Sequence, residues 1–264
     1  MSQFKIKKSF TQKHPPPSNG GFVLSEEGAS SKTPPFVVPD DLKQDIATVV
    51  RGTRIERLLD QGGGPCFDRC AIGYALLLIL GWKPQPVLGG LHYRCGPDPR
   101  RDTISFCGPE GVGVIWNGLF WAHIWLEFQD HFLDFSAGDW RGLNWDQPSP
   151  DGTPSFGEPH WDAPPPEFLW IPKQDAIRPR GQSSPDLGKV WYTGFDHSTF
   201  SPDRIKLFWT SMLETVATPG MKLYLQRSEK RMNLRERAHA AQRGEYLPRP
   251  KGADVPDSMT IIGL

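Results

Sequence analysis

The chain has no surplus of charge: 30 Lys and Arg balance 30 Asp and Glu over 264 residues. Bulk attraction to nucleic acid or to an anionic membrane surface is therefore not what organises it. It has no long apolar run either. The longest nearly apolar stretch, from Ala71 to Trp82, is too short to span a bilayer. The opening residues, MSQFKIKKSFTQKH, are charged and lack the apolar segment of a secretory signal. There are four cysteines, Cys66, Cys70, Cys95 and Cys107, and none forms a C-x-x-C pair. Their spacings suit a zinc site poorly, so no metal and no cofactor is expected. No internal repeat is visible. These absences lead to the expectation of a soluble, cytoplasmic protein with reduced thiols.

What the chain does have is turn residues and large flat side chains. Gly and Pro number 27 each, and there are ten Trp. Residues 1–37 hold Pro15-Pro16-Pro17, Gly20-Gly21 and Pro34-Pro35 with few, aperiodic apolar residues, and read as a tail. Asp40 and Asp41 mark a helix start, and Leu42, Ile46, Val49 and Val50 recur at helical spacing. Gly52 breaks that helix, with Ile55, Leu58 and Leu59 as a second piece. Gly62-Gly63-Gly64-Pro65 then delivers Cys66, and a helix apolar nearly all round follows to Leu80, stopped by Gly81.

A strand is expected over residues 86–94, a polar loop over 95–112 and a short strand ending at Trp116. Asn117-Gly118 is a tight hairpin signal. Leu119–Phe128 and His131–Phe135 complete an antiparallel meander turned at Gln129-Asp130. Residues 137–168 read as a long loop, and Phe168–Ile171 and Lys189–Phe195 as strands. Ser201-Pro202-Asp203 starts a further helix with an apolar face of Ile205, Phe208, Trp209, Met212, Leu213 and Val216, and Pro219-Gly220 ends it. From Lys222 the chain turns basic. This segment reads as a solvated helix and tail rather than a nucleic-acid arm. The domain is placed at 38–225, with 226–264 as a basic C-terminal helix and tail. Its class is α+β, a buried helix packed on an antiparallel sheet.

A cysteine at a helix start is chemically placed, because the free N–H groups and dipole there favour an anion and the thiolate is the nucleophile. Such a cysteine alone is ordinarily just a small buried residue. A nucleophile also needs a base, and the base an orienter. In HIWLEFQDHFLDFS, a two-residue turn at Gln129-Asp130 sets His123 opposite Ser136 and Trp125 opposite Asp134. Period-2 alternation then puts His123, Trp125, Glu127, Phe132, Asp134 and Ser136 on one face, with Asp134 the diagonal neighbour of His123. A three-residue turn would place Asp134 on the other face. Asp134 sits among Phe132, Leu133 and Phe135, where a carboxylate needs a partner. The candidate catalytic residues are Cys66, His123 and Asp134. Cys70, one turn inside the helix, reads as core. His92 and His131 are rival bases with weaker surroundings. Glu127 reads as an ion-pair partner. The Cys66 backbone N–H and the Gln61 side chain are the candidate oxyanion donors. Gly64 and Trp125 are the candidate substrate contacts, Gly64 because it lets backbone approach closely.

Cys66 followed fifteen residues later by Gly81, then HIWLE at 123–127 and LDFS at 133–136, resembles the transglutaminase-like superfamily. GGGPCFD at 62–68 with VLGGLHY at 87–93 is similar to the arylamine N-acetyltransferases. The resemblance spans about residues 55–137, under a third of the chain. It implies a papain-like core with Cys66 as nucleophile, His123 as base and Asp134 as orienter. The acetyltransferase pattern has an arginine where this chain has Gln61, which weakens a coenzyme A reading. Phe135-Ser136 after the aspartate also departs from both groups. The expected chemistry is cysteine-dependent acyl transfer on a protein, peptide or small amide or amine substrate, by an amidase, protease, deamidase or transglutaminase-type enzyme. Two other classes stay open: an N-acyltransferase using an acyl thioester, and an inactive binding module.

Overall fold

In a computed structural model the described residues are 37–57, 65–106, 114–116, 119–121, 123–143, 157–194, 209–210, 212–253 and 258–263. Gln61, Gly64, Leu58, Leu59, Cys107, the Asn117-Gly118 turn, the Ser201-Pro202 helix start, Ile205, Phe208 and nearly all of the 1–37 tail lie outside them.

Helix α1 spans Asp40–Gly52. Asp40 and Asp41 in its first turn complement the dipole, and Leu42, Ile46, Val49 and Val50 form its buried stripe. The expected second helical piece does not form. Residues Thr53–Arg57 are instead strand β1, paired in parallel with β10, Met259–Gly263, with Ile55 opposite Ile261. Local periodicity could not foresee this, because the partner strand lies about two hundred residues downstream.

Helix α2 spans Pro65–Ile79, with Pro65 at the first position, where its missing N–H costs nothing. Ala71, Ile72, Ala75, Leu76 and Leu77 are fully buried. Gly73 lets the helix sit hard on the sheet: a Cβ there would stand 2.6 Å from the Phe135 ring. The helix ends in a left-handed cap. Gly81 has φ +84°, its N–H bonds Leu78 O, and the Trp82 N–H bonds Leu77 O.

The main sheet has six strands: β2 (Gln85–Arg94), β3 (Thr103–Ser105), β6 (His123–Phe128), β7 (His131–Asp134), β8 (Leu169–Pro172) and β9 (Val190–Gly194). They run antiparallel in the order β3-β2-β6-β7-β8, and β9 also pairs with β2. The first half of β2, Gln85–Gly89, pairs with β6, and Gly89–Tyr93 pairs with β9. Strands β4 (Val114–Trp116) and β5 (Leu119–Trp121) form a separate two-stranded ribbon. The expected single meander is therefore divided: Leu119–Trp121 belongs to the ribbon and His123–Phe128 to the main sheet. The expected loop at 95–112 likewise contains β3, which a three-residue strand with a polar end does not announce.

Alternation along β6 and β7 divides the interior into two cores. Ile124, Leu126, Phe128, Leu133 and Phe135 face α2 and α1. Trp125 and Phe132 face a second cluster with Leu91, Tyr93, Trp140 and Tyr192. The class is α+β.

The C-terminal part departs from expectation. A π-helical segment, Leu213–Ala217, runs into α3, Thr218–Met232. Pro219-Gly220 lies inside that helix rather than ending it. The proline falls in the first turn of α3, and Gly220 makes room for Ile261, whose Cγ1 would stand 2.8 Å from a Cβ. Asn233, with φ +47°, turns the chain into α4, Leu234–Gln242. Helix α4 and strand β10 fall in the same compact unit as the rest of the described residues from Val37 on. Arg237 on α4 is 1% exposed and pairs with Asp41 at 2.7 Å and with the fully buried Asp45, which Arg249 also meets. A basic residue there serves as an internal clamp on α1, while Lys222, Arg235 and Arg243 remain exposed.

Candidate active site

Strands β6 and β7 close through a two-residue turn in which Gln129 takes φ +52°. The register pairs Phe128 with His131, Glu127 with Phe132 and Leu126 with Leu133. Asp134 therefore falls opposite Trp125 and diagonal to His123, as the two-residue turn requires. His123 Nε2 lies 2.5 Å from Asp134 Oδ2, and both side chains are buried. An ionised carboxylate can only accept, so Nε2 carries the proton. That leaves Nδ1, which is buried and makes no hydrogen bond.

Asp134 is fully engaged. Its Oδ1 accepts the Ser136 N–H at 2.9 Å and the Ser136 hydroxyl at 2.7 Å. Its Oδ2 accepts His123 and the Tyr192 hydroxyl, the latter at 3.0 Å. Burial alone would raise its pKa, but the imidazolium and the Ser136 donors hold it below the usual carboxylate range. For His123 the balance tips the other way. Burial favours the neutral ring, yet the Asp134 charge and hydrogen bond, with Cys66, push its pKa up to about 10.

Cys66 is the second residue of α2 and partly exposed. Its backbone N–H belongs to the first turn, where no helical acceptor exists. The thiol lies beside the imidazole, near enough to favour the protonated ring without closing a hydrogen bond to Nδ1. Such pairs often tighten only when substrate binds. Cys70 is buried, and burial followed by the nearby Asp134 and Cys66 pushes its thiol well above the ordinary range. It is part of the buried core, as its position one turn inside the helix suggests.

The other candidates separate cleanly. Glu127 pairs with Lys173 at 2.6 Å. Burial, then the Lys43 charge, lowers the His131 pKa, with Asp130 opposing. The His92 Nδ1 lies 2.9 Å from Ser105 Oγ, away from the carboxylate. Trp125 needs correction: expected to meet substrate, it is 1% exposed, packed beside His123 at 6.3 Å and on Tyr192 at 4.8 Å between ring centroids. It fills the second core because the alternation that puts His123 on that face also puts Trp125 there.

Two further aromatic residues enclose the imidazole. Phe106 stacks on His123 at 5.1 Å, and Trp140 meets it edge-on at 5.9 Å. Aromatic faces favour an imidazolium. Trp140 sits on the 3-10 turn Ala137–Gly142, inside the expected long loop. That turn is anchored to α2 by Asp139 and Arg69 at 3.1 Å, and Arg69 also caps the carbonyls of Val50, Arg51 and Thr53. The Asp134-Phe135-Ser136 spacing is a legible side-chain-to-backbone turn signal. Tyr192 carried none beyond a strand pattern.

Among the described residues no cluster of three or more His, Cys, Asp or Glu could hold a metal ion, and no helix is long and apolar enough to cross a membrane. No family model and no curated protein matches the chain. It is similar to a crystal structure described only as a genomics chain, at 15% identity and TM-score 0.39 over 66% of this chain and 75% of that one. A likeness at that level carries no inference.

Proposed function

We propose that this protein performs cysteine-dependent acyl chemistry on an amide or ester, through a thioester on Cys66. The observation that carries the reading is the buried His123–Asp134 pair at 2.5 Å with the Cys66 thiol beside the ring at the start of α2. The order of nucleophile on a helix start, base on a strand and orienter on the next supports a papain-like, transglutaminase-like arrangement.

In this mechanism His123 holds the Cys66 thiol proton on Nδ1 as an imidazolium, and the thiolate sulfur attacks the substrate carbonyl carbon. The Cys66 backbone N–H donates to the developing oxyanion. The C–N or C–O bond breaks as the Nδ1 proton passes to the leaving amine or alcohol, and the acyl group stays on sulfur. Water or an amine then attacks, giving its proton to Nδ1, and the C–S bond breaks to restore the thiol. Asp134 keeps Nε2 protonated, so Nδ1 is the nitrogen that holds the proton, gives it to the leaving group and takes it back. Water as acceptor gives an amidase, protease or deamidase; an amine gives a transferase.

The test is residue-resolved alkylation of the four cysteines at mildly acidic pH, read by mass spectrometry, in wild type, His123→Ala and Asp134→Ala. Cys66 is expected to react much faster than Cys70 and to slow in both variants. An inert Cys66, or one indifferent to His123, refutes the reading. Peptide amides, esters and acyl thioesters offered as donors then separate the acyl sources, a thioacyl burst with acetyl-CoA marking an N-acyltransferase.

A further inference from the structure

The two oxygens of Asp134 are served by different parts of the chain. Ser136, two residues on, gives both of its donors to Oδ1. Oδ2 is shared by His123 and by Tyr192, which arrives from β9, 58 residues away. We propose that Tyr192 is a positioning residue of the site: its hydroxyl fixes Asp134 for His123 and, by sharing Oδ2, limits how firmly the carboxylate holds the imidazole proton. The inference deepens the acyl-transfer reading and rests on it for its catalytic meaning.

Three observations converge on this role. The Tyr192 backbone is held on both sides, paired with Leu91 of β2 and donating its N–H to Ala176 O at 2.9 Å. Its ring is wedged between Trp125 at 4.8 Å and Phe132 at 5.1 Å, so the hydroxyl has one place to go. The residue is 4% exposed, and a buried hydroxyl without its acceptor would be costly. Its oxygen is thus a built part of the carboxylate's surroundings rather than an incidental neighbour.

The consequence is chemical. A carboxylate oxygen with two donors gives each less than it would give one alone. In the cycle above the imidazole must return its proton to a leaving group, so an orienter that grips too hard slows the step. Among the described residues, the titratable groups around this pair are Asp134 from β7, Cys66 and Cys70 from α2, and Tyr192 from β9. Glu127, on the same face of β6, is held by Lys173. Burial, then the Asp134 charge, pushes the Tyr192 phenol well above its ordinary range, so it remains a donor wherever the pair is charged.

The test uses the full chain with Tyr192→Phe, which keeps the ring and removes the hydroxyl. The readout is the proton on His123 Nε2, followed by NMR as a downfield resonance across alkaline pH. Without the competing donor, that resonance is expected to move further downfield. The pH at which it shifts back upfield, as the ring loses its Nδ1 proton, should rise by about one unit, the size of one hydrogen bond to a charged group. Tyr93→Phe, which removes a hydroxyl of the same core that bonds Ala163 O rather than Oδ2, should leave both in place. A resonance unchanged in Tyr192→Phe, or moved equally by Tyr93→Phe, overturns the proposal and makes Tyr192 a packing residue. The acyl-transfer reading fails separately, if Cys66 alkylation ignores His123→Ala.

Discussion

Replacing Asp134 with Asn tests the arrangement most severely, because it exchanges one heavy atom and changes little volume. The carboxylate accepts four donors, two on each oxygen. A carboxamide offers one oxygen and one NH2. The Ser136 backbone N–H can never accept, so the amide oxygen must stay with Ser136 and the NH2 must face His123 and Tyr192. The tyrosine hydroxyl can rotate to accept. The imidazole can accept at Nε2 only by moving its proton to Nδ1, which removes the nitrogen that takes the thiol proton. Burial, no longer opposed by the Asp134 charge, then favours the neutral ring, and the pKa falls from about 10 to below its ordinary value. Losing three units of protonation free energy at pH 7 costs on the order of 4 kcal/mol, in line with breaking a buried ion pair. Urea unfolding at pH 7 should show a loss of about 3–5 kcal/mol. The rate of Cys66 alkylation at mildly acidic pH should fall at least about tenfold, the factor that accompanies about 1.4 kcal/mol. If Asp134→Asn keeps wild-type alkylation and unfolds within about 1 kcal/mol of wild type, the tautomer argument is refuted.

Two more outcomes follow from the same physical account. The His123 pKa is raised in the folded state, so its stabilisation is complete below the unfolded value of 6.5 and is lost as pH rises through about 10. Tyr192, Cys70 and Cys95 are also raised and add losses of the same sign at higher pH, so thermal melts should decline steadily above pH 6.5; a flat profile to pH 10 contradicts the assignment. Arg237→Met removes the buried cation between α1 and α4 and leaves Asp45 facing only Arg249; urea unfolding should lose roughly 3–5 kcal/mol, and a loss under about 1 kcal/mol would show that the clamp is dispensable.

Much of the local structure was written in residue patterns. The apolar run after Cys66, with Pro65 before it and Gly81 after it, specified α2 within a residue at either end, because caps and burial are local demands. The two-residue turn at Gln129-Asp130 and the alternation in β6 and β7 set His123 and Asp134 diagonal to each other, since a strand's period leaves no freedom once the turn length is known. Other elements were decided by partners remote in sequence. Thr53–Arg57 could not be recognised as a strand without Met259–Gly263. Pro219-Gly220 could stay helical because a π turn precedes it and Ile261 occupies the space beside the glycine. Arg237 looked like one more surface charge until α4 laid it against Asp41 and Asp45. The same division runs through the site. The sequence by itself determined which residue types stand at the helix start and on the two strands, because turns, caps and periodicity act over a few residues. The tertiary structure alone decided that Tyr192 completes the Asp134 shell, that Phe106 and Trp140 enclose the imidazole, and that Trp125 is core. Hydrogen bonds and ring contacts between residues far apart in the chain depend on where whole elements dock, and no local pattern encodes that.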